Sequence, residues 1–219
     1  MRSTLFICVL APLALLAVEP EPALPDGTAA GEKMIPTFKL PAGMKVELFA
    51  AEPKLGSPVA IGLDEKNRVF VAEEYRFNRG TQENRNNAAL QTLFFLEDDL
   101  QIQTLADRLK VFEKWKHKFP GGMKWYSKHA DQVRLLQDTS GDGKADQATV
   151  FAGGFNHPLD GLGAGVMATN GDVYYTCIPN LWRLRDTDGD GVADQREALL
   201  TGFGVNLAFL GHDLHGLIW

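Results

Sequence analysis

Apolar and polar residues alternate in short runs along most of this chain. Lys45-Val-Glu-Leu-Phe49 alternates with the period of two expected of a half-buried strand, and Arg68-Val-Phe-Val-Ala72 reads as a second strand. Asp64-Glu-Lys-Asn67 between them is a turn signal. Over residues 84–130 the rhythm changes. Leu105, Leu109, Phe112 and Trp115 recur at spacings of 4, 3 and 3 with charged residues between them, which predicts an amphipathic helix. Thr104, three residues before Asp107, is placed to cap its start, and Pro120-Gly121-Gly122 ends it. This helical insertion either forms a rim or lid or simply covers a sheet edge.

The later chain repeats itself. Val133-Arg-Leu-Leu-Gln-Asp138 matches Leu181-Trp-Arg-Leu-Arg-Asp186, and Gly154-Phe155 matches Gly202-Phe203, both at an offset of 48 residues. His157-Pro-Leu-Asp-Gly-Leu162 matches His212-Asp-Leu-His-Gly-Leu217 at an offset of 55. Thr169-Asn-Gly-Asp-Val-Tyr-Tyr175 places a turn and strand within the unit. A period near 50 residues built of short strands is the signature of a β-propeller blade. The expected fold is all-β: a partial, incomplete propeller of about three blades over residues 41–219, interrupted by the insertion at 84–130. A propeller closes with roughly four to eight blades, so the chain reads as the front part of a longer protein.

The N-terminus adds a different signal. Arg2 precedes an apolar run of 14 residues from Leu5 to Val18, too short to span a bilayer comfortably and interrupted by Pro12. Residues 1–18 read as a signal peptide of a protein exported to a periplasmic or other extracytoplasmic space, with an uncleaved anchor as the alternative. Membrane contact is then expected only through that segment. Residues 19–40, rich in Pro, Ala and Gly, read as a flexible lead-in. Cys177 would be the one cysteine left after cleavage, so no internal disulfide is expected; it reads as a buried strand residue, with a reactive thiol as the alternative.

Net charge is −6, with no basic stripe of the kind that binds nucleic acid. The acid is concentrated instead. Asp186-Thr-Asp-Gly-Asp-Gly-Val-Ala-Asp-Gln-Arg-Glu197 fits a 12-residue calcium loop, with oxygen ligands from Asp186, Asp188, Asp190, the Val192 carbonyl, Asp194 and Glu197, and with Gly191 at the sharp turn. The earlier loop offers Asp138, Ser140, Asp142, the Lys144 carbonyl and Asp146, with Thr149 at the last position. Ser140 replaces a carboxylate, which predicts weaker Ca2+ binding. Both loops follow strand-like sequence, so a bracing role is expected. The alternative is a solvated Asp/Gly turn.

His157 and His212 open the repeated His-x-Leu-x-Gly-Leu phrase, where an inner strand would begin. Each is a candidate catalytic base taking a hydroxyl proton, or a histidine bonded to nearby backbone; His215 is a further candidate in the same phrase. His117 and His129 fall in the insertion and are expected at the surface.

Four phrases carry a family resemblance: Tyr75-Arg-Phe-Asn-Arg-Gly-Thr-Gln-Glu-Asn-Arg85, Asp160-Gly-Leu-Gly-Ala-Gly-Val166, Tyr174-Tyr-Thr-Cys-Ile-Pro-Asn-Leu-Trp182 and Gly211-His-Asp-Leu-His-Gly-Leu217. With them the chain resembles the N-terminal domain of large planctomycete and verrucomicrobial proteins labelled membrane-bound dehydrogenases. That group is related to the quinoprotein glucose/sorbosone dehydrogenases, which are six-bladed propellers. The resemblance implies oxidation of a sugar-type alcohol, with pyrroloquinoline quinone taking the hydride. It also implies a downstream cytochrome c domain taking the electrons; haem would sit there, since this chain has no Cys-x-x-Cys-His. His212, five residues before Leu217, matches the spacing of the family's general base. The alternative is a non-catalytic propeller that binds carbohydrate or a protein partner.

Overall fold

The computed structural model describes residues 21–82, 95–206 and 214–218. Two four-stranded antiparallel sheets dominate it, each a meander whose strands pair in chain order. The first sheet holds β1 (Pro58–Leu63), β2 (Val69–Glu73), β3 (Asp131–Gln137) and β4 (Gln147–Phe155). The second holds β5 (Gly163–Thr169), β6 (Asp172–Cys177), β7 (Asn180–Arg185) and β8 (Gln195–Thr201). Among the described residues there is no closed barrel. The fold is therefore mostly β, with few helices.

The 48-residue offset has a structural meaning. It superposes the third strand, the Asp-rich loop and the fourth strand of one sheet on those of the other, β3–β4 on β7–β8. The offset fails upstream because the first sheet takes its insertion between β2 and β3. The same position in the second sheet is a turn at Ile178-Pro179.

The sheets share one core. Phe70, Val133, Leu135, Phe151 and Phe155 from the first meet Val166, Val173, Tyr175 and Leu184 from the second, all buried. Burying each such side chain contributes about 1.5–3 kcal/mol. Phe70 meets Phe151 edge-on at 5.0 Å within the first sheet, and Phe155 meets Tyr175 at 4.6 Å across the two. Close approach depends on a missing side chain: a Cβ on Gly62 of β1 would stand 3.1 Å from the Val166 carbonyl oxygen of β5.

The insertion has a core of its own. Phe95, Phe112, Phe119, Trp125 and Tyr126 are buried together, with Phe112 stacked on Tyr126 at 4.4 Å. The predicted helix is present as α3 (Leu105–Trp115), preceded by the short helices α1 (Thr28–Met34) and α2 (Leu96–Asp99). Thr104 caps α3, its Oγ1 accepting from the Asp107 N–H at 3.1 Å.

Two expectations are corrected. Lys45–Phe49 is not a strand, because it has no ladder partner among the described residues; its backbone is only extended. About three blades are expected; the described residues form two four-stranded sheets, and residues 214–218 form no strand. Within residues 21–40 the chain carries α1, and Glu21 pairs with Arg79 at 3.0 Å and with His129 at 2.7 Å.

Candidate metal centre and its surroundings

The β7–β8 loop is organised around its own carboxylates. Asp186 accepts from the Gly189 N–H at 2.7 Å and the Gly191 N–H at 2.9 Å. These bonds require the backbone to fold back sharply, and both glycines take the left-handed conformation, φ 83° and 86°. Asp194 reaches back across the loop and accepts from the Thr187 N–H at 3.1 Å. As a result, carboxylate oxygens of Asp186, Asp188 and Asp194 lie within 4.8 Å of one another. Among the described residues this is the one group of three acidic, His or Cys ligands so placed.

Desolvation pushes the Asp186 carboxyl up, but the N–H groups of Gly189 and Gly191 outweigh it and leave its pKa lowered. Asp186 therefore keeps its charge, and three carboxylates at this distance could hold a cation.

Two predicted ligands take other positions. Asp190 turns its carboxylate to the Val192 N–H at 2.8 Å. Glu197 lies on β8 opposite Arg183 of β7, and the two form an ion pair at 2.5 Å. A strand follows this loop where an EF-hand would have a helix, which carries position 12 onto the sheet.

The β3–β4 loop has the same construction. Asp138 accepts from the Gly141 N–H at 2.7 Å and the Gly143 N–H at 2.8 Å, and Asp146 accepts from the Ser140 N–H at 3.0 Å. Asp142 accepts from the Lys144 N–H at 2.9 Å. Ser140 occupies the place of Asp188 and donates to Asp138 at 3.2 Å, so the loop does not assemble three carboxylates. The Gly143 N–H lowers the pKa of Asp138, and the Thr139 side chain lowers that of Asp146.

The histidines separate. His157 is exposed, and its Nδ1 accepts from the Leu159 N–H at 3.1 Å, so the ring closes its own turn before β5. His212 lies outside the described residues. His215 lines a depression of about 330 Å³ with Val59, Ala60, Glu74, Leu162 and Ala164, along the first strands of the two sheets. His129 is not at the surface as expected: the Glu21 carboxylate and Arg79 enclose it, leaving it 9% exposed. His117 is exposed.

Sequence reasoning missed a buried polar hub. Arg76 is wholly buried and donates to the carbonyl oxygens of Asp160 (2.9 Å), Gly161 (2.8 Å), Gly80 (3.1 Å), Tyr126 (2.9 Å) and His157 (3.3 Å). It ties the insertion to the loop that leads into β5. Beside it, Asp131 accepts from the N–H groups of Tyr75 (2.7 Å), Arg76 (3.0 Å) and Gly163 (2.9 Å). Burial pushes the Asp131 carboxyl up to about 6, against the pull of Arg76. The one available signal was Arg76's place in the phrase Tyr75–Arg85. Cys177 is buried near this hub, its Sγ 3.7 Å from the Gly161 carbonyl, and burial raises its thiol well above the usual range. It is an inert core residue.

The architecture and the site together define a mostly β protein of two stacked antiparallel sheets with an acidic strand-to-strand loop. The chain belongs to the family described as a domain of unknown function, DUF7133, which matches residues 30–219. No curated protein and no solved structure matches it. Among the described residues no helix is long and apolar enough to cross a membrane, and the apolar run of residues 5–18 lies outside them.

Proposed function

We propose that the chain is the first part of a calcium-braced β-propeller. One observation supports this reading: the first strand of each sheet packs against the other, and residues 214–218 lie on the far face of the second sheet. Val166 and Ala168 of β5 turn toward the first sheet, where Gly62 of β1 meets them. Gly165, on the opposite face of β5, lies against residues 214–218; a Cβ there would stand 3.3 Å from His215 Cα. The first strands β1 and β5 thus lie side by side, an arrangement compatible with inner strands around a propeller axis. In a two-sheet sandwich, by contrast, the sheets pack as a pair around one core.

Calcium is the cation that fits the β7–β8 loop. The donors are all hard carboxylate oxygens with no nitrogen or sulfur among them, and Ca2+ takes six to eight oxygens in flexible geometry. Asp186, Asp188 and Asp194 would hold it. The ion would supply charge neutralisation, so its role is structural, in an extracytoplasmic space where calcium is plentiful.

The depression along the first strands favours a small polar ligand, since it sets His215 and Glu74 among apolar residues. In this reading the ligand is a sugar-type alcohol, and the longer polypeptide oxidises it and passes electrons to a cytochrome c domain. Pyrroloquinoline quinone carries several carboxylates and calls for cationic partners. Among the described residues the lining contains no Lys or Arg, so these residues do not fit the quinone, and no role toward it is assigned to them.

Terbium luminescence and calcium titration test the brace. We expect one tight site and a Tm that rises with Ca2+ and falls with chelator; an unchanged Tm overturns it. Dye reduction by the protein with Ca2+ and a panel of sugars tests the redox reading. Sugar binding without turnover would instead support a carbohydrate-binding propeller.

A further inference from the structure

A cavity of about 680 Å³ opens on the face of the first sheet turned away from the second. Val133 and Leu135 of β3 point into the core between the sheets. Gln132 and Arg134, which alternate with them, therefore point the other way and line the cavity. Val150 of β4, the ladder partner of Arg134, lies beside them. Tyr75 and Phe77, from the segment after β2, supply another wall, and Leu24 and Leu55 close the rest. The volume is that of a small-molecule site.

The floor is built around one carboxylate. Glu73, the last residue of β2, is wholly buried. It accepts from the Gly56 N–H at 2.8 Å, Arg134 Nε at 2.7 Å, Gln132 Nε2 at 2.5 Å and the Tyr75 hydroxyl at 3.3 Å. These donors satisfy a charge that would otherwise be costly to bury. In return, Glu73 fixes Gln132, Arg134 and Tyr75 at the cavity wall. Each keeps capacity for a further bond: Arg134 in its terminal N–H groups, Gln132 in its amide oxygen, Tyr75 in the lone pairs of its oxygen. Burial pushes the Tyr75 hydroxyl up to about 12, so it stays protonated.

The guanidinium charges are answered locally. Arg134 pairs with Glu73 at 2.7 Å and Arg79 with Glu21 at 3.0 Å. Glu74, a further acid of the lining, disfavours an anion, and the two guanidinium groups disfavour a cation. Fixed donors and acceptors with no cationic excess suit hydroxyl groups, because a hydroxyl both donates and accepts. Leu24, Leu55, Phe77 and Val150 suit the C–H face of a ring, and Phe77 is 44% exposed.

We infer that this cavity binds a neutral, polyhydroxylated ring compound, held by Gln132, Arg134 and Tyr75 with its apolar face on Phe77. The site is separate from the depression at His215. It rests on the Glu73 network, and it stands whether or not the chain forms part of a propeller or carries out a redox reaction.

Calorimetry tests this with a panel of neutral methyl glycosides and inositols, and with gluconate and glucosamine as anionic and cationic counterparts. We expect saturable binding of at least one neutral compound, with the charged counterparts about tenfold weaker or more. Phe77→Ala and Gln132→Ala should each weaken that binding about tenfold, the loss expected for one good contact. Phe77 is exposed, so its variant should keep the parent Tm and read binding alone. His215→Ala should leave the affinity unchanged. Absence of saturable binding across the neutral panel overturns the proposal, as does tighter binding of gluconate or glucosamine. Affinity lost in His215→Ala but kept in Phe77→Ala places the ligand in the other depression and overturns this site alone.

Discussion

The N–H of Ala193 donates to the carbonyl oxygen of Phe151 at 2.7 Å, joining the acidic loop of the second sheet to the outer strand of the first. The loop is thus a tie between sheets as well as a connection between strands. Carboxylate repulsion in the absence of a cation should loosen that tie. The Ala193 amide is expected to exchange at least tenfold faster after chelation of Ca2+, measured by hydrogen–deuterium exchange, while amides of β6 stay protected. No change at Ala193 would separate cation binding from sheet packing.

One side chain distinguishes the two loops, and exchanging it should exchange their behaviour. Asp188→Ser is expected to weaken binding at the second loop at least tenfold, because it removes one of three clustered carboxylates. Ser140→Asp should create a second site on the matching frame of Asp138 and Asp146. Calorimetry would then report two ions per chain in place of one. Glu197→Gln should leave binding unchanged, since Glu197 is paired with Arg183.

Arg76 cannot be replaced without leaving five carbonyl oxygens short of a donor. Arg76→Met keeps much of the volume and loses the bonds, and should cost about 3–5 kcal/mol in urea unfolding. Arg76→Lys should recover only part, because an ammonium cannot span the same set of acceptors.

Asp131 gives a pH signature of definite sign. Its carboxyl rises from an ordinary 3.8 to about 6 in the folded chain, so between those values the native state holds the extra proton. Its contribution to stability is therefore full below pH 3.8 and is lost as pH rises to 6, on the order of 3 kcal/mol in all. The lowered carboxyls of Asp138 and Asp146 act in the opposite sense, contributing above their unfolded values and losing that as pH falls below 3.8. Urea unfolding from pH 4 to 7 should show a shallower fall in Asp131→Asn than in the parent chain. Identical slopes would contradict a buried, titrating Asp131.

What the sequence settled by itself was local. The spacing of Leu105, Leu109, Phe112 and Trp115 fixed a helix, because a 3.6-residue period puts them on one face, and Thr104 caps it as its position demands. The Asp and Gly positions fixed both loops, since each carboxylate bonds amides only a few residues away. The 48-residue repeat located matching strands of both sheets. Tertiary structure decided the rest. Lys45–Phe49 has the pattern of a strand but no ladder, because pairing needs a neighbour that a pattern cannot supply. Glu197 fits the loop by count, yet β8 aligns it with Arg183. His129 looked like a surface residue until Glu21, 108 positions away, closed over it. Arg76 took its role from acceptors as far as 85 residues distant. Periodicity and capping act within a few residues and can be read from the chain. Burial and long-range partners arise only when distant segments compete for the same space.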